Sequence, residues 1–188
     1  PLVYGSYNRD DGVFLGGGFM YTQHGWRKDP FASRHRLLAD VAVATGAFNI
    51  EYKGDFNNVF GQWNLEALID IKKPEVNNFF GIGNESIYEV DRGIDYYRLR
   101  IEDYSIYLSI NHEIGNTGKF AFGVHQKSVE IEENEGTYIT SSGFNEFNTD
   151  ELFDDPRRYG GAFSTLEFDT RDEKLFPTRG LFWESEVS

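Results

Sequence analysis

Alternation of apolar and polar residues with a period of two runs through almost the whole sequence. The clearest case is "FNIEYKGDF" (48–56), in which aromatic, aliphatic and glycine residues alternate with Asn49, Glu51, Lys53 and Asp55. The same alternation appears in "NLEALIDI" (64–71) and "YSIYLSIN" (104–111), and no segment shows the 3.6-residue period of an amphipathic helix. Because successive side chains of a β-strand point to opposite faces, the sequence predicts an all-β, antiparallel fold.

The alternating segments divide the chain into eight strands and the start of a ninth. We expect the strands at about 2–8, 13–23, 34–45, 47–57, 63–73, 97–114, 119–132, 161–172 and 180–188. Connectors such as "ATGA" and "GNTG" have the composition of hairpin turns, whereas two long connectors span about 74–96 and 133–160. Leu99 and Ile101 are at odd positions, whereas Ile106 and Leu108 are at even positions, so a regular strand would place the two pairs on opposite faces. We therefore expect a β-bulge near Glu102–Asp103.

The overall charge and the lack of cysteine narrow the classes of function. The formal net charge is −13 at pH 7, and phosphate backbones need a basic face, so nucleic acid is not expected as a partner. The 188 residues contain no cysteine, which excludes disulfides and thiolate metal sites. The histidines lack metal-ligand spacing and are expected on the polar face of the strands: His24, His35, His112 and His125. We therefore expect no catalytic residue, cofactor or metal site within these residues.

The polar face of the strands carries opposite charges close together in the sequence, such as Glu51 with Lys53, Glu167 with Arg171, and Arg98 and Arg100 with Glu102. Strands of about ten residues with an apolar outer face and a charged inner face are typical of outer-membrane barrels. In lipid every backbone polar group needs a partner, so such a sheet must close. The sequence thus favours an antiparallel transmembrane β-barrel, with a soluble β-sandwich as the alternative.

The strand count indicates a larger barrel. Bacterial single-chain barrels have even numbers of strands, and eight strands with the start of a ninth do not form a closed object. We therefore expect residues 1–188 to be the N-terminal portion of one barrel domain that continues beyond residue 188.

The segment "DTRDEKLFPTRG" (169–180) combines a charged strand end with a tight turn. Pro177 fixes φ and Gly180 permits a positive φ, which suits a sharp reversal. Phe176 is expected to anchor the turn at the membrane edge. The charged groups are expected to pair at the foot of the barrel: Asp169, Arg171, Asp172 and Arg179. An ordinary surface hairpin with solvated charges is the alternative interpretation.

This turn, with Asp169, Arg171 and Asp172 followed by Phe176, Pro177, Thr178, Arg179 and Gly180, resembles the Omp85 superfamily. The superfamily includes BamA- and TamA-like barrels and the bacterial surface antigen D15 group. The segments "YGSYNRDDGVFLGGGF" (4–19) and "FFGIGNES" (79–86) are similar to its first hairpin and to a recurring segment. The segments "NRDDGVFLGG" and "TQHGWRKDPFASRHRLL" (22–38) resemble the corresponding segments of superfamily members from Bacteroidetes. The resemblance implies a sixteen-stranded barrel in which the turn lies at the periplasmic side, about midway round.

The resemblance also implies a function. Such barrels reside in the bacterial outer membrane and assist insertion or translocation of other proteins through a weak seam at the first strand. The gate residues would be Leu2, Val3, Tyr4, Gly5, Ser6 and Tyr7. Expected partners are outer-membrane lipid and lipopolysaccharide, nascent outer-membrane proteins, and accessory assembly subunits. The Val-Arg-Gly-Phe-like loop motif and the periplasmic POTRA domains of the superfamily would lie outside these residues.

Two other functions remain open from the sequence. The barrel would be a membrane anchor or export route if a periplasmic enzyme, a phosphoesterase or a patatin-like lipase, preceded it. The second alternative function is that of a passive porin. The acidic runs "EIEENE" (130–135) and "NTDELFDD" (148–155) are expected to be solvated extracellular loop, with cation bridging to lipopolysaccharide as the alternative.

Overall fold

Nine antiparallel strands, in chain order, form one continuous sheet in the computed structural model of the chain. The structure describes residues 1–26, 28–82, 88–141, 153 and 155–188. The strands are β1 (Leu2–Asn8), β2 (Gly12–Gly25), β3 (Lys28–Ala42), β4 (Phe48–Phe60), β5 (Trp63–Asn78), β6 (Arg98–Ile114), β7 (Gly118–Ile131), β8 (Arg157–Asp169) and β9 (Phe182–Val187). Short 3₁₀ helices span Val90–Arg92, Ile94–Tyr97 and Tyr138–Thr140.

The predicted all-β class and the predicted order of nine strands are confirmed. The largest differences are at strand ends, and the start of β3 differs most, because β3 begins at Lys28 and the sequence predicted residue 34. β5 continues to Asn78 and β8 begins at Arg157, where the sequence predicted long loops. Pro74, Asn77 and Asn78 disfavour a strand locally, but the segment pairs with the start of β6 and becomes extended.

A β-bulge lies at the predicted level, opposite Glu102–Asp103, but its extra residue is in β5 and not in β6. β6 pairs with β7 without interruption from Ile101 to Ile114. The register shift lies in β5, where Lys72 is opposite Asp103 and Glu75 is opposite Ile101. The extra residue belongs to the segment that contains Pro74, because proline has no N–H to give to the ladder and such residues favour bulges.

The two faces of the sheet differ as the alternation predicted. The polar side chains of the alternating strands lie on the concave face of the sheet. This face encloses a cleft of about 560 Å³, whose lining includes Arg36, Glu51, Lys53, Glu66, Lys119 and Glu167. The opposite, convex face leaves large apolar side chains exposed, among them Val3, Leu15, Phe19, Val41, Ile106, Leu108, Phe122, Val124, Leu166 and Trp183. Few apolar side chains of the described residues are buried, so this single layer is not a soluble sandwich with a core between two sheets.

The strands are strongly staggered across the sheet. The paired residues can be followed from strand to strand, from Val3 in β1 to Arg158 near the start of β8. The intermediate residues on this line are Gly17, Ala39, Ile50, Ile71, Tyr104 and Ser128. The line of register partners from Val3 thus reaches the end of β8 that is opposite Asp169, and a stagger of this kind accompanies the tilted strands of β-barrels.

Neither edge of the sheet is paired with another strand of the described residues, since β1 and β9 stand at opposite ends of the strand order. The sheet is therefore open. Within the described ranges no helix is both long enough and apolar enough to span a membrane.

Candidate functional site

The first candidate site is the exposed edge of β1. This strand has seven residues and pairs only with β2, in the register from Leu2 opposite Gly18 to Asn8 opposite Gly12. A further strand would pair with the backbone N–H and C=O groups along the outer edge of β1. The predicted gate residues Leu2, Val3, Tyr4, Gly5, Ser6 and Tyr7 all lie on this edge strand.

Three consecutive glycines of β2 lie opposite the start of β1. A Cβ atom on Gly16 would lie 2.6 Å from Cβ of Asp40 and 2.8 Å from Cζ of Tyr4. A Cβ atom on Gly18 would lie 2.2 Å from the carbonyl oxygen of Leu37. Close approach of neighbouring groups therefore explains the glycines, as expected for glycine within a strand.

Replacing Gly18 with alanine should destabilise the sheet by about 1–3 kcal/mol, because the methyl group overlaps the backbone of β3. Urea unfolding of the protein in lipid vesicles measures this loss. Gly160→Ala is the matched control in β8, since its Cβ would lie 3.7 Å from the carbonyl oxygen of His125, an ordinary contact. Equal losses in the two variants would contradict the steric explanation.

Tyr4 reaches across the space left by Gly16. Its hydroxyl donates a hydrogen bond of 2.7 Å to Oδ2 of Asp40 in β3, although β3 is not its neighbour in the sheet. Nδ2 of Asn49 in β4 donates to the other carboxylate oxygen of Asp40, also at 2.7 Å. Sequence reasoning missed Asp40 and Asn49 as partners of the first strand.

The turn after β1 is held by side chains of more distant segments. The carboxylate of Asp11, which is 3% exposed, accepts hydrogen bonds from Thr45 Oγ1 at 2.8 Å and from Asn8 Nδ2 at 3.3 Å. Asp10 forms an ion pair with Arg98 at the start of β6. The first hairpin is thus connected to the turn after β3 and to β6.

The second candidate site is the turn between β8 and β9. Oδ1 of Asp172 accepts hydrogen bonds from the backbone N–H groups of Glu173, Thr178 and Arg179 at 3.0–3.1 Å. Oδ2 accepts one from the hydroxyl of Thr178 at 2.5 Å. The hydrogen bond from Thr178 and those from the backbone lower the pKa of Asp172 to about 2. The charged carboxylate therefore organises the whole turn.

The expected pairing of charges is present for one of the two arginines. Arg171 binds Asp169 through two hydrogen bonds of 2.9 and 2.8 Å, and its guanidinium lies 4.4 Å from the ring centre of Phe182. The carboxylate of Asp172 accepts hydrogen bonds within the turn and is not paired with the guanidinium of Arg179. Arg179 contributes its backbone instead: its N–H donates to the carboxylate of Asp172, and its C=O accepts from the N–H of Asp172. The carboxylate is satisfied locally because four donors lie within reach.

Gly180 adopts φ of +106°, as predicted. A Cβ atom at this position would lie 2.3 Å from the carbonyl oxygen of Thr170. At the tip of the turn, Leu175 and Phe176 are 81% and 78% exposed. Anchoring of Phe176 at the membrane edge stays a prediction.

The family of the chain follows from a comparison with protein-family models. The model of the OMP85 superfamily matches residues 75–188, which include β6–β9 and the turn of Asp172. The chain belongs to the OMP85 superfamily. No curated protein and no solved structure matches the chain.

Membership in the OMP85 superfamily gives meaning to the two faces of the sheet. Superfamily barrels lie in the bacterial outer membrane and serve insertion or translocation, and the superfamily is not an enzyme family. An apolar convex face then meets lipid and a charged concave face meets the lumen. Ion pairs line the concave face, including Arg34 with Asp55 at 3.0 Å and Lys127 with Asp103 at 2.6 Å.

The prediction that all histidines lie on the polar face is wrong for His35 and His112. His35 lies on the convex face of this OMP85 sheet, where it stacks on Tyr21 and Nδ1 is 2.9 Å from the hydroxyl of Tyr52. His112 packs against Trp63 on the same face. Alternation places His35 with Leu37 and His112 with Ile110, and aromatic and imidazole rings with an apolar body and a polar tip suit a membrane interface.

The acidic segments of this OMP85 chain are only partly described. Glu132 of the first run binds Nε of Arg100 at 2.7 Å. Most of the run 148–155 lies outside the described residues, as does the end of "FFGIGNES". Among the described residues, no group of three or more His, Asp or Glu side chains could hold a metal ion.

Proposed function

We propose that this barrel inserts or translocates outer-membrane proteins through a lateral gate formed by β1. The proposal is supported by membership in the OMP85 superfamily and by Gly5, which lies within β1, the first strand of the sheet. Glycine contributes no side chain to cross-strand packing, so a seam along this edge is weak and easily exchanged for another strand.

Chemically, the gate recognises backbone rather than side chains. The free N–H and C=O groups of β1 pair with an incoming strand by β-augmentation. The convex face beside the seam, with Val3 at 87% exposed, lets the apolar side chains of the client enter lipid directly. Polar side chains of the client face the charged lumen. Nascent outer-membrane proteins are thus the proposed clients.

The finer assignment is part of the same proposal. We place the chain with the BamA- and TamA-like barrels and the surface antigen D15 group, as the N-terminal portion of a sixteen-stranded barrel. The turn of Asp172 then lies on the periplasmic side and the long loops outside the cell. Outer-membrane lipid, lipopolysaccharide and accessory assembly subunits are its proposed partners.

A disulfide between β1 and the last strand of the full-length barrel tests the gate. Residues 1–188 contain no cysteine, so Ser6→Cys and one cysteine in the last strand can be paired without competing thiols from this region. Oxidation should reduce the assembly of a client β-barrel to background, and reduction should restore it. Assembly is measured by the heat-modifiable gel shift of the folded client.

A second disulfide serves as the control. Ser164→Cys and Val187→Cys join register partners in β8 and β9, away from the proposed seam. Oxidation of this pair should leave client assembly unchanged. Normal assembly with the β1 disulfide closed would refute the gate and favour an anchor for an enzyme or a passive channel.

A further inference from the structure

The hydrogen bond between Tyr4 and Asp40 bypasses the neighbouring strand. Tyr4 stands opposite Gly16 in the β1–β2 register, and Gly16 stands opposite Asp40 in the β2–β3 register. Because Gly16 has no side chain, the ring of Tyr4 lies over β2 and its hydroxyl reaches the carboxylate 2.7 Å away. A side chain at position 16 would occupy the path of this ring.

The bond is part of a longer connection on the concave face. Asp40 also accepts from Asn49, so β1, β3 and β4 are joined through a single carboxylate. The ion pair of Asp10 with Arg98 ties the tip of the same hairpin to β6. The first strand is therefore attached to the sheet by side chains as well as by its backbone ladder.

The backbone ladder alone specifies the register of β1 poorly. Leu2, Val3 and Tyr4 lie opposite Gly18, Gly17 and Gly16, which offer no side chains for cross-strand packing. Glycine-rich strands are prone to slip, and a slip of one residue would move Tyr4 to the lipid face. Only one register places the hydroxyl of Tyr4 at Asp40.

We propose that Tyr4 and Asp40 are positioning residues that hold β1 in a fixed register while its outer edge is open. This inference rests on the proposed gate and adds how the gate strand remains a usable template. An incoming strand needs a defined pattern of N–H and C=O groups, and a β1 strand that slipped or frayed would offer the wrong one. The fixed element is β1, so opening moves the strand on the other side of the seam.

Hydrogen–deuterium exchange of the full-length protein in lipid nanodiscs tests this role. Tyr4→Phe and Asp40→Ala should each speed the exchange of the β1 amides roughly tenfold, since a hydrogen bond to a charged group is lost. Asp40→Asn keeps an acceptor oxygen and should restore most of the protection. Tyr159→Phe is the matched control, because Tyr159 is a half-exposed tyrosine of β8.

Unchanged β1 exchange in Tyr4→Phe, relative to Tyr159→Phe, would overturn the positioning role. Faster exchange in Tyr4→Phe and Asp40→Ala with recovery in Asp40→Asn would support it. The assembly rate of a client protein, measured on the same variants, separates the two proposals. A loosened β1 together with normal client assembly would support the positioning role and count against the gate.

Discussion

Replacing Leu108 with arginine should destabilise the folded protein in a bilayer by about 2–4 kcal/mol, the usual cost of a cation on the lipid face near the midplane. Leu108 lies on the convex face, 43% exposed, between the register partners Ala67 and Val124. These neighbours are apolar, so an arginine there has no carboxylate partner beside it. Urea unfolding in phosphatidylcholine vesicles, followed by tryptophan fluorescence, measures the loss.

The neighbouring residue provides a control with the opposite expectation. Ser109 points to the concave face, where it lines the charged cleft and stands opposite Glu66. Ser109→Arg should change the unfolding free energy by less than about 1 kcal/mol, since the new cation is solvated and lies near a carboxylate. Similar losses at both positions would refute the assignment of the convex face to lipid.

The strands and their faces could be predicted because period-two alternation reports directly on a sheet with two different environments. The apolar residues of β4, such as Ile50 and Tyr52, lie on the same convex face as the apolar residues of β5 and β6. Strand ends were less predictable. Residues 74–78 follow no clear alternation and owe their extended conformation to pairing with β6.

The partners of individual charges were harder to predict than the charged face itself. Glu51 was expected beside Lys53, but Glu51 binds Arg36 of β3 and Lys53 lies 3.8 Å from Asp55. Glu102 binds Lys73 of β5 at 2.7 Å. Arg36 and Glu51 are diagonal neighbours across the β3–β4 pair, so their ion pair depends on the strand register, which a single sequence does not contain.

The two candidate sites differ in how far the sequence revealed them. The turn of Asp172 is local, so its proline, glycine and charged residues predicted a tight reversal. The bond of Tyr4 with Asp40 joins residues 36 positions apart across an intervening strand. The only signal for it was a run of glycines in β2 opposite a tyrosine, and that signal appears once the register is known.

Gly180→Ala should be the most damaging small substitution in the turn, with a loss of about 3 kcal/mol or more from strain and overlap together. Gly180 has φ of +106°, where alanine is strained, and the added methyl group would lie 2.3 Å from the carbonyl oxygen of Thr170. Thr170 also donates its N–H to the carbonyl of Leu181, so relief of the overlap would break the closure of β8 with β9. Urea unfolding in vesicles measures the loss.

Gly61→Ala separates strain from overlap. Gly61 lies in the short turn between β4 and β5 with φ of +66°, and no atom lies within 4 Å of its added Cβ. Gly61→Ala should lower the free energy of unfolding by only about 1–2 kcal/mol, the ordinary cost of the left-handed conformation for alanine. If Gly180→Ala costs no more than Gly61→Ala, the turn relaxes around the methyl group. A larger loss at Gly180 means that the backbone of Thr170 and Arg171 does not move away from the methyl group.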